Sequence, residues 1–224
     1  MSFLSVENVS KTYPDLNSHR GLTVLRDVSA ELSQGEFVAL MGQSGSGKST
    51  LLTILGAMNT PSEGRLQVDG IDVFALTDER RADFRSHYLG FVFQQQHLMP
   101  YLNAVENVML PLATLRIPAI RKRRRALDAM ESVGLAGKAS RLPNQLSGGE
   151  QGRLAIARAI VNDPPLILAD EPTGTLDTAT GDEIMRVFSD LNGRGHTIFM
   201  VTHNPGNASK AHRVLRIQDG ALVD

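Results

Sequence analysis

Gly42-Gln43-Ser44-Gly45-Ser46-Gly47-Lys48-Ser49-Thr50 fits the pattern G-x-x-x-x-G-K-[ST], and its surroundings decide what the pattern means. The apolar run Glu36-Phe37-Val38-Ala39-Leu40-Met41 before it reads as a buried strand. Leu51-Leu52-Thr53-Ile54-Leu55 after it reads as a helix. In that strand–loop–helix setting the glycines let several backbone N–H groups point at one phosphate. The helix that begins near Lys48 aims its positive end at the same place. Lys48 adds a mobile point charge for the β- and γ-phosphates, and the Ser49 hydroxyl suits a hard cation such as Mg²⁺. A Gly/Ser-rich turn that binds nothing is the bland alternative; the flanking strand and helix argue against it. The chain therefore binds a nucleoside triphosphate.

The 224 residues are 42% hydrophobic, enough for one domain with a sizeable core and an inserted subdomain. The net charge of −1 gives no global field for nucleic acid. The absence of cysteine removes disulfides and thiolate metal sites. Met1-Ser2-Phe3-Leu4 leads straight into a strand pattern, without the features of a signal peptide. No run approaches the roughly 20 apolar residues of a membrane span. A role at a membrane would need another chain to hold this one there.

Along the chain, residues 3–9 alternate, with Leu4, Val6 and Val9 on one side of a half-buried strand that Tyr13-Pro14 ends. Residues 14–22 read as a surface loop and residues 24–32 as a second strand. The helix after the phosphate loop should stop near Gly56. Arg65 to Gly70 reads as a short strand and turn, Thr77-Asp78-Glu79 as the cap of a helix reaching His87, and Leu89 to Phe93 as a buried strand ending on Gln94.

From residue 98 to 161 the pattern shows helices and loops. Val105 to Leu110 reads as a short helix stopped by Pro111. Residues 118–135 read as a longer one, with Ile120, Leu127, Met130 and Val133 near helical spacing. Strands return at Leu166 to Ala169, followed by Asp170-Glu171, and at Thr197 to Thr202, followed by His203. Two short strands close the chain. Such alternation implies a mostly parallel sheet whose ligands bind beyond the carboxyl ends of the strands. Gly42, Gln94, Asp170 and His203 all fall at such ends, the sign of one shared site.

Asp170 is placed to hold Mg²⁺ opposite Ser49, and Glu171 to orient or deprotonate a water attacking the γ-phosphate; two acids capping a turn is the bland alternative. Gln94 could reach the cation or that water, or be a solvated amide. His203 could hydrogen-bond the γ-phosphate, though a strand-end histidine is more often structural. His19, His87, His97, His196 and His212 get only the structural reading. Tyr13 could stack on adenine or simply face solvent. Leu146-Ser147-Gly148-Gly149-Glu150 opens a helix with two glycines that serve no core. It is a second anion cradle, and it invites a dimer in which each chain presents this element to the other's nucleotide. Arg121-Lys122-Arg123-Arg124-Arg125 reads mostly as a solvated face, next as a contact for acidic lipid headgroups, and only third as a nucleic-acid site.

With these residues assembled, the chain resembles the ATP-binding subunits of ABC transporters over essentially its whole length. The matching elements are Walker A from Gly42 to Thr50, the Q-loop glutamine Gln94, the signature Leu146 to Glu150, Walker B from Leu166 to Asp170 with catalytic Glu171, the D-loop Gly174-Thr175-Leu176-Asp177, the switch histidine His203 and the adenine-stacking Tyr13. The resemblance implies an α/β fold: a P-loop, RecA-like, mostly parallel core with an N-terminal antiparallel β subdomain and an inserted helical subdomain. Within this single domain, 1–94 and 162–224 would form the nucleotide-binding core and 95–161 the signature subdomain. ATP and Mg²⁺ are implied as ligands, with Ser49, Gln94 and Asp170 around the metal. Glu171, His203 and Gln94 would be catalytic. Walker A, Tyr13 and Ser147-Gly148-Gly149 would bind nucleotide.

Gly90-Phe91-Val92-Phe93-Gln94, Leu98-Met99-Pro100, Glu106 to Leu112 and Ala169 to Gly174 are similar to the lipoprotein-releasing and macrolide-exporter branch. That implies a head-to-tail ATP-bound dimer, a permease with few spans and a large periplasmic domain, with or without a periplasmic adaptor, and a peripheral place on the cytoplasmic face of the inner membrane. Residues 94–101 would meet the permease's coupling helix. Gly152, Thr175 and Asn204-Pro205 depart from that branch; the glycine weakens its helix by roughly 1 kcal/mol against alanine. A divisome-type ATPase that controls cell-wall enzymes through a membrane partner shares every motif and remains the alternative. A P-loop kinase would lack residues 146–150, and a nucleic-acid ATPase of this superfamily would carry a coiled coil or second cassette.

Overall fold

Phe37-Val38-Ala39-Leu40 is apolar without alternation because the strand it belongs to is covered on both faces: Val38, Ala39 and Leu40 expose nothing to solvent. The structure is a computed structural model and describes residues 2–14 and 21–223. Residues 15–20 of the expected surface loop, His19 among them, lie outside the described residues.

In chain order the elements are β1 (Leu4–Tyr13), β2 (Leu22–Leu32), β3 (Phe37–Met41), α1 (Lys48–Leu55), β4 (Glu63–Val68), β5 (Ile71–Asp72), α2 (Asp78–Tyr88), β6 (Leu89–Val92), α3 (Ala104–Met109), α4 (Ala119–Ser132), α5 (Gly148–Ile160), β7 (Leu166–Asp170), α6 (Thr178–Gly193), β8 (Thr197–Val201), α7 (Pro205–Ala208), β9 (Arg213–Gln218) and β10 (Ala221–Val223). They fall into two compact units, Met1–Arg85 with Thr197–Asp224, and Ser86–His196.

The first unit holds an antiparallel sheet in the order β2-β1-β4-β5. Leu4, Val6 and Val9 face its core as expected, although 6 to 9 breaks the two-residue period. The register slips between Val6 and Val9, and Asn8 takes φ 48°. The bulge supplies the extra residue that returns Val9 to the inner face. The same unit carries β3 parallel to both β8 and β9, with β10 antiparallel to β9. α1 buries Leu51, Leu52, Ile54 and Leu55. The turn of the β9–β10 hairpin reaches back to both β2 and the phosphate loop. The Gly220 carbonyl accepts from the Arg26 N–H at 2.8 Å, and the Gly220 N–H donates to the Ser46 carbonyl at 3.2 Å.

The second unit pairs β6 and β7 in parallel, Leu89 opposite Leu166 and Val92 opposite Ala169. α5 lies on β6 so closely that a Cβ on Gly90 would stand 2.5 Å from the Ala159 carbonyl oxygen. Three expectations change here. First, Pro111 does not stop α3 by itself; the helix ends at Met109 and passes into a single 3₁₀ turn, Leu110–Leu112, with Pro111 in its first positions, where a missing N–H costs little. Second, the buried stripe of α4 is Ala126, Ala129 and Met130, continued by Val133, whereas Ile120 is 75% exposed and Leu127 37%. Met130 and Val133 of the expected stripe are buried, and Ala126 and Ala129 take the inner positions expected of Ile120 and Leu127. Third, one of the two signature glycines, Gly149, does serve packing, as described below. No helix among the described residues is long and apolar enough to cross a membrane.

Candidate functional site

In the first unit β3 delivers the chain into the loop, and each of two glycines is required by a neighbour. A Cβ on Gly42 would stand 2.4 Å from the Ile217 carbonyl oxygen; one on Gly47, whose φ is 104°, would stand 2.7 Å from Leu25 Cδ2. Gly47 is the N-cap of α1 and offers no side chain, so the first-turn N–H groups have no side-chain cap. Ser46 is buried, and its hydroxyl has no hydrogen-bond partner among the described residues. An unfilled helix start beside an orphaned hydroxyl fits a phosphate. The Lys48 ammonium donates to the Gly42 and Gln43 carbonyls at 2.9 and 2.7 Å, so it lies along the loop's inner edge. Ser49 is exposed on the first turn of α1, and Thr50 follows it. Among the described residues no three His, Cys, Asp or Glu side chains gather into a metal cage.

Residues 41–46 open on a cavity of about 640 Å³ that His203 also lines, so within this unit the structure brings the cradle and His203 together. Arg216, Gln218 and Asp219 line the same cavity. His203 precedes α7, which Asn204 caps: its Oδ1 accepts from the Gly206 and Asn207 N–H groups at 2.8 and 3.3 Å. An asparagine there does the capping work of an acid without its charge. Tyr13 ends β1 half-exposed; its hydroxyl accepts from Asn59 Nδ2 at 2.6 Å, and the Lys11 ammonium stands 5.0 Å from its ring centroid.

In the second unit Asp170 is the last residue of β7, and Glu171 follows with φ 45°. A left-handed glutamate costs about 1–2 kcal/mol, strain of the kind that gathers at reacting positions. The chain then turns back, the Gly174 N–H donating to the Glu171 carbonyl at 2.9 Å. Gln94, exposed just beyond β6, lies on that turn: a Cβ on Gly174 would stand 2.9 Å from Gln94 Nε2. Gln94 and the Asp170-Glu171 segment are thus neighbours within this unit. Asp177 caps α6, taking the Thr180 N–H at 3.0 Å and the Thr180 hydroxyl at 2.6 Å, and these bonds hold its carboxyl below the usual range.

Ser147 caps α5 in a closed box. Its Oγ accepts from the Glu150 N–H at 3.2 Å, and Glu150 Oε2 accepts from the Ser147 N–H at 2.8 Å. Lys138 sits 3.0 Å from Glu150 Oε1. The Ser147 backbone bond first and Lys138 second hold the Glu150 carboxyl below its ordinary value. The Ser147 hydroxyl keeps a proton to donate outward, and Ser147 and Gly148 are exposed. Gly149 is buried, and a Cβ there would stand 2.5 Å from Thr180 Cγ2; on Gly152 it would stand 3.1 Å from Ile184 Cδ1. Gly149 lets α6 close on α5, while at Gly152 the approach is to the far end of a flexible side chain.

Sequence reasoning missed Ile217, Gly220 and Arg216. Asp219-Gly220 between two short strands is a readable hairpin turn, but its grip on Ser46 is a long-range contact that no local pattern encodes.

A parallel α/β core with a glycine-capped helix after its strand defines a P-loop nucleotide-binding protein. The sequence matches the ABC transporter family over residues 25–174. The chain belongs to that family and is one of its ATP-hydrolysing cassettes. It is 44% identical to the uncharacterized ABC transporter ATP-binding protein YvrO of Bacillus subtilis (strain 168), covering 98% of this chain and 95% of that one. It is 45% identical to the macrolide export ATP-binding/permease protein MacB 1/2 of Paracoccus denitrificans (strain Pd 1222) over 98% of this chain, but spans only 33% of that longer protein. Among solved structures, an ATP-binding cassette dimer in a post-hydrolysis state with ADP and Pi superposes with a TM-score of 0.89 at 41% identity, covering 99% of this chain and 97% of that one.

Proposed function

We propose that two copies of this chain close head to tail on ATP, and that closure and hydrolysis drive a membrane permease of the exporter or lipoprotein-releasing kind. The observation that carries this is the pairing, in one chain, of the cradle with its orphaned Ser46 hydroxyl and a second capped helix start whose Ser147 and Gly148 face outward. A related cassette solved as a dimer with ADP and Pi supports it.

Tyr13 takes the adenine, while the loop from Gly42 to Thr50 takes the phosphates, with Lys48 leaving its carbonyls to do so. Mg²⁺ held by Ser49, Gln94 and Asp170 would neutralise charge on the β- and γ-phosphates. Glu171 takes the proton of the water whose oxygen attacks the γ-phosphorus as the bond to ADP breaks. His203 donates a hydrogen bond to the departing phosphate. Ser147, Gly148 and Gly149 of the second copy complete the pocket. Residues 95–161 form the subdomain that presents the signature, and 94–101 meet the permease; Tyr101, 94% exposed, and Met99 are free to do so. The chain rests on the cytoplasmic face of the membrane, with a permease bearing a large periplasmic domain and, in some assemblies, an adaptor.

The test combines two variants. Glu171→Gln should bind ATP, lose turnover and run as a dimer with ATP in size exclusion. Adding Ser147→Arg should return it to monomer with ATP still bound; a dimer that persists would sink the head-to-tail arrangement. Tagged Glu171→Gln with ATP, recovered from gently solubilised membranes, should bring down a permease with a large periplasmic domain. A cell-division membrane protein would move the reading to the regulatory alternative.

A further inference from the structure

Arg158 lies in the last turn of α5, the helix whose first residues carry the signature. Its guanidinium donates through Nη2 to the Gln96 carbonyl at 2.5 Å and through Nη1 to the His97 carbonyl at 2.7 Å. Burial alone pushes its pKa down, and no carboxylate pairs with it among the described residues. A desolvated cation without a counter-ion is a costly way to fill space. What distinguishes Arg from an apolar residue here is its planar fork, which can hold two successive carbonyls at once.

The held segment follows Gln94 directly. His97 is left-handed, φ 45°, a conformation uncommon outside glycine. Phe93 stacks on Phe91, and His97 packs edge-on to Phe93, each pair with centroids 5.5 Å apart. Further on, the buried Asn107 accepts from the Met99 N–H at 2.7 Å and donates to the Met99, Leu102 and Asn103 carbonyls. Among the described residues the chain from Gln94 to Asn103 is therefore held by the side chains of Arg158, Asn107 and, at its far end, Glu106, and of these Arg158 belongs to the signature helix.

We propose that Arg158 is a positioning residue for Gln94. By holding the Gln96 and His97 carbonyls it fixes the turn that lays Gln94 on Gly174, and it ties the signature helix to the exposed segment ending at Tyr101. The proposal rests on the role given above to Gln94 and residues 94–101. It predicts that movement of α5 is passed to that segment through two hydrogen bonds.

The chain has no tryptophan, so Tyr101→Trp in the full protein gives a single fluorescent reporter of the segment. Arg158→Gln and Arg158→Lys are made in that background, and kcat, KM for ATP, reporter anisotropy and folded fraction are measured together. The expected order for kcat and anisotropy is parent, then Lys, then Gln. The Gln variant should lose kcat by about 10-fold or more while KM stays within about twofold, because the cradle lies in the other unit. Unchanged anisotropy, or a kcat that falls only with the folded fraction, overturns the proposal. If Arg158→Gln does not fold, Arg158→Lys decides: it should lower kcat and anisotropy with KM unmoved, and parental values for both overturn the proposal. Gln94→Ala in parallel separates the two readings. If it leaves kcat intact, the role of Gln94 fails, and the reporter alone judges the grip of Arg158.

Discussion

The Ile217 carbonyl oxygen stands 2.4 Å from where a Cβ on Gly42 would be, so the opening glycine of the phosphate loop answers to strand β9 rather than to the phosphate alone. Ile217 pairs no residue of the loop in sequence; β9 is brought beside it by parallel pairing with β3, Met41 opposite Arg216. Gly42→Ala must therefore push β9 or the loop aside, and the obstacle is backbone, which yields poorly. We expect a loss of about 1–3 kcal/mol of stability and nucleotide affinity weakened at least about 10-fold, as about 1.4 kcal/mol of misplacement would give. Urea denaturation and a fluorescent-nucleotide titration check both.

Glu171 keeps φ 45° although a non-glycine residue is strained there. Glu171→Gly relieves the strain, about 1–2 kcal/mol, against an added unfolded-state entropy of about 0.5–1 kcal/mol. Compared with Glu171→Ala, which removes the same side chain, the glycine variant should be as stable or more so by roughly 1 kcal/mol, while turnover falls by about 10²-fold or more in both. Glu171→Gln should lose turnover equally with no gain in stability. Parallel thermal melts and phosphate-release assays separate strain from chemistry.

The phosphate loop was legible because its information is local: strand, glycines, lysine and helix are contiguous from Glu36 to Leu55. Asp170, Glu171, Gln94 and His203 were legible as strand ends for the same reason. What was not legible came from distant partners. Gly220 supports Ser46, and Ile217 abuts Gly42, through contacts set by sheet order. Of the expected α4 stripe, Met130 and Val133 are buried and Ile120 and Leu127 are exposed, because apolar spacing alone does not tell how far a buried stripe runs; Ala126 and Ala129 complete it. Of the two signature glycines, Gly148 has only an ordinary contact beside it, whereas Gly149 lies against Thr180, a residue of another helix that no local pattern reveals.

Acid should loosen the signature cap. Glu150 is held below the ordinary carboxylate range, first by the Ser147 N–H and then by Lys138. A depressed carboxylate stabilises the fold fully above its unfolded pKa, and that contribution disappears as pH falls through the folded pKa. Urea midpoints of the parent and Glu150→Ala should differ at pH 7. The part of the gap that depends on charge should close progressively below about pH 4.5. A gap independent of pH from 7 to 3 would mean that the carboxylate charge contributes nothing to the cap.

Gly149 and Gly152 occupy one helix and face one neighbour, yet alanine should act oppositely at the two. At Gly149 the new methyl would meet Thr180 Cγ2 at 2.5 Å, and the Thr180 side chain cannot swing away without giving up its hydroxyl bond to Asp177. Gly149→Ala should cost about 1–3 kcal/mol and displace the signature, so ATP-dependent dimerisation weakens as well. At Gly152 the nearest atom is Ile184 Cδ1 at 3.1 Å, the far end of a flexible side chain that can give by a few tenths of an ångström. There the helix gain from alanine, about 1 kcal/mol, is opposed only by a small repacking, so Gly152→Ala should be neutral or stabilising and should dimerise normally. Denaturant melts of both variants, followed by size exclusion in the Glu171→Gln background with ATP, test the contrast; equal losses at both positions would mean that α6 resists any approach, whichever atom is met first.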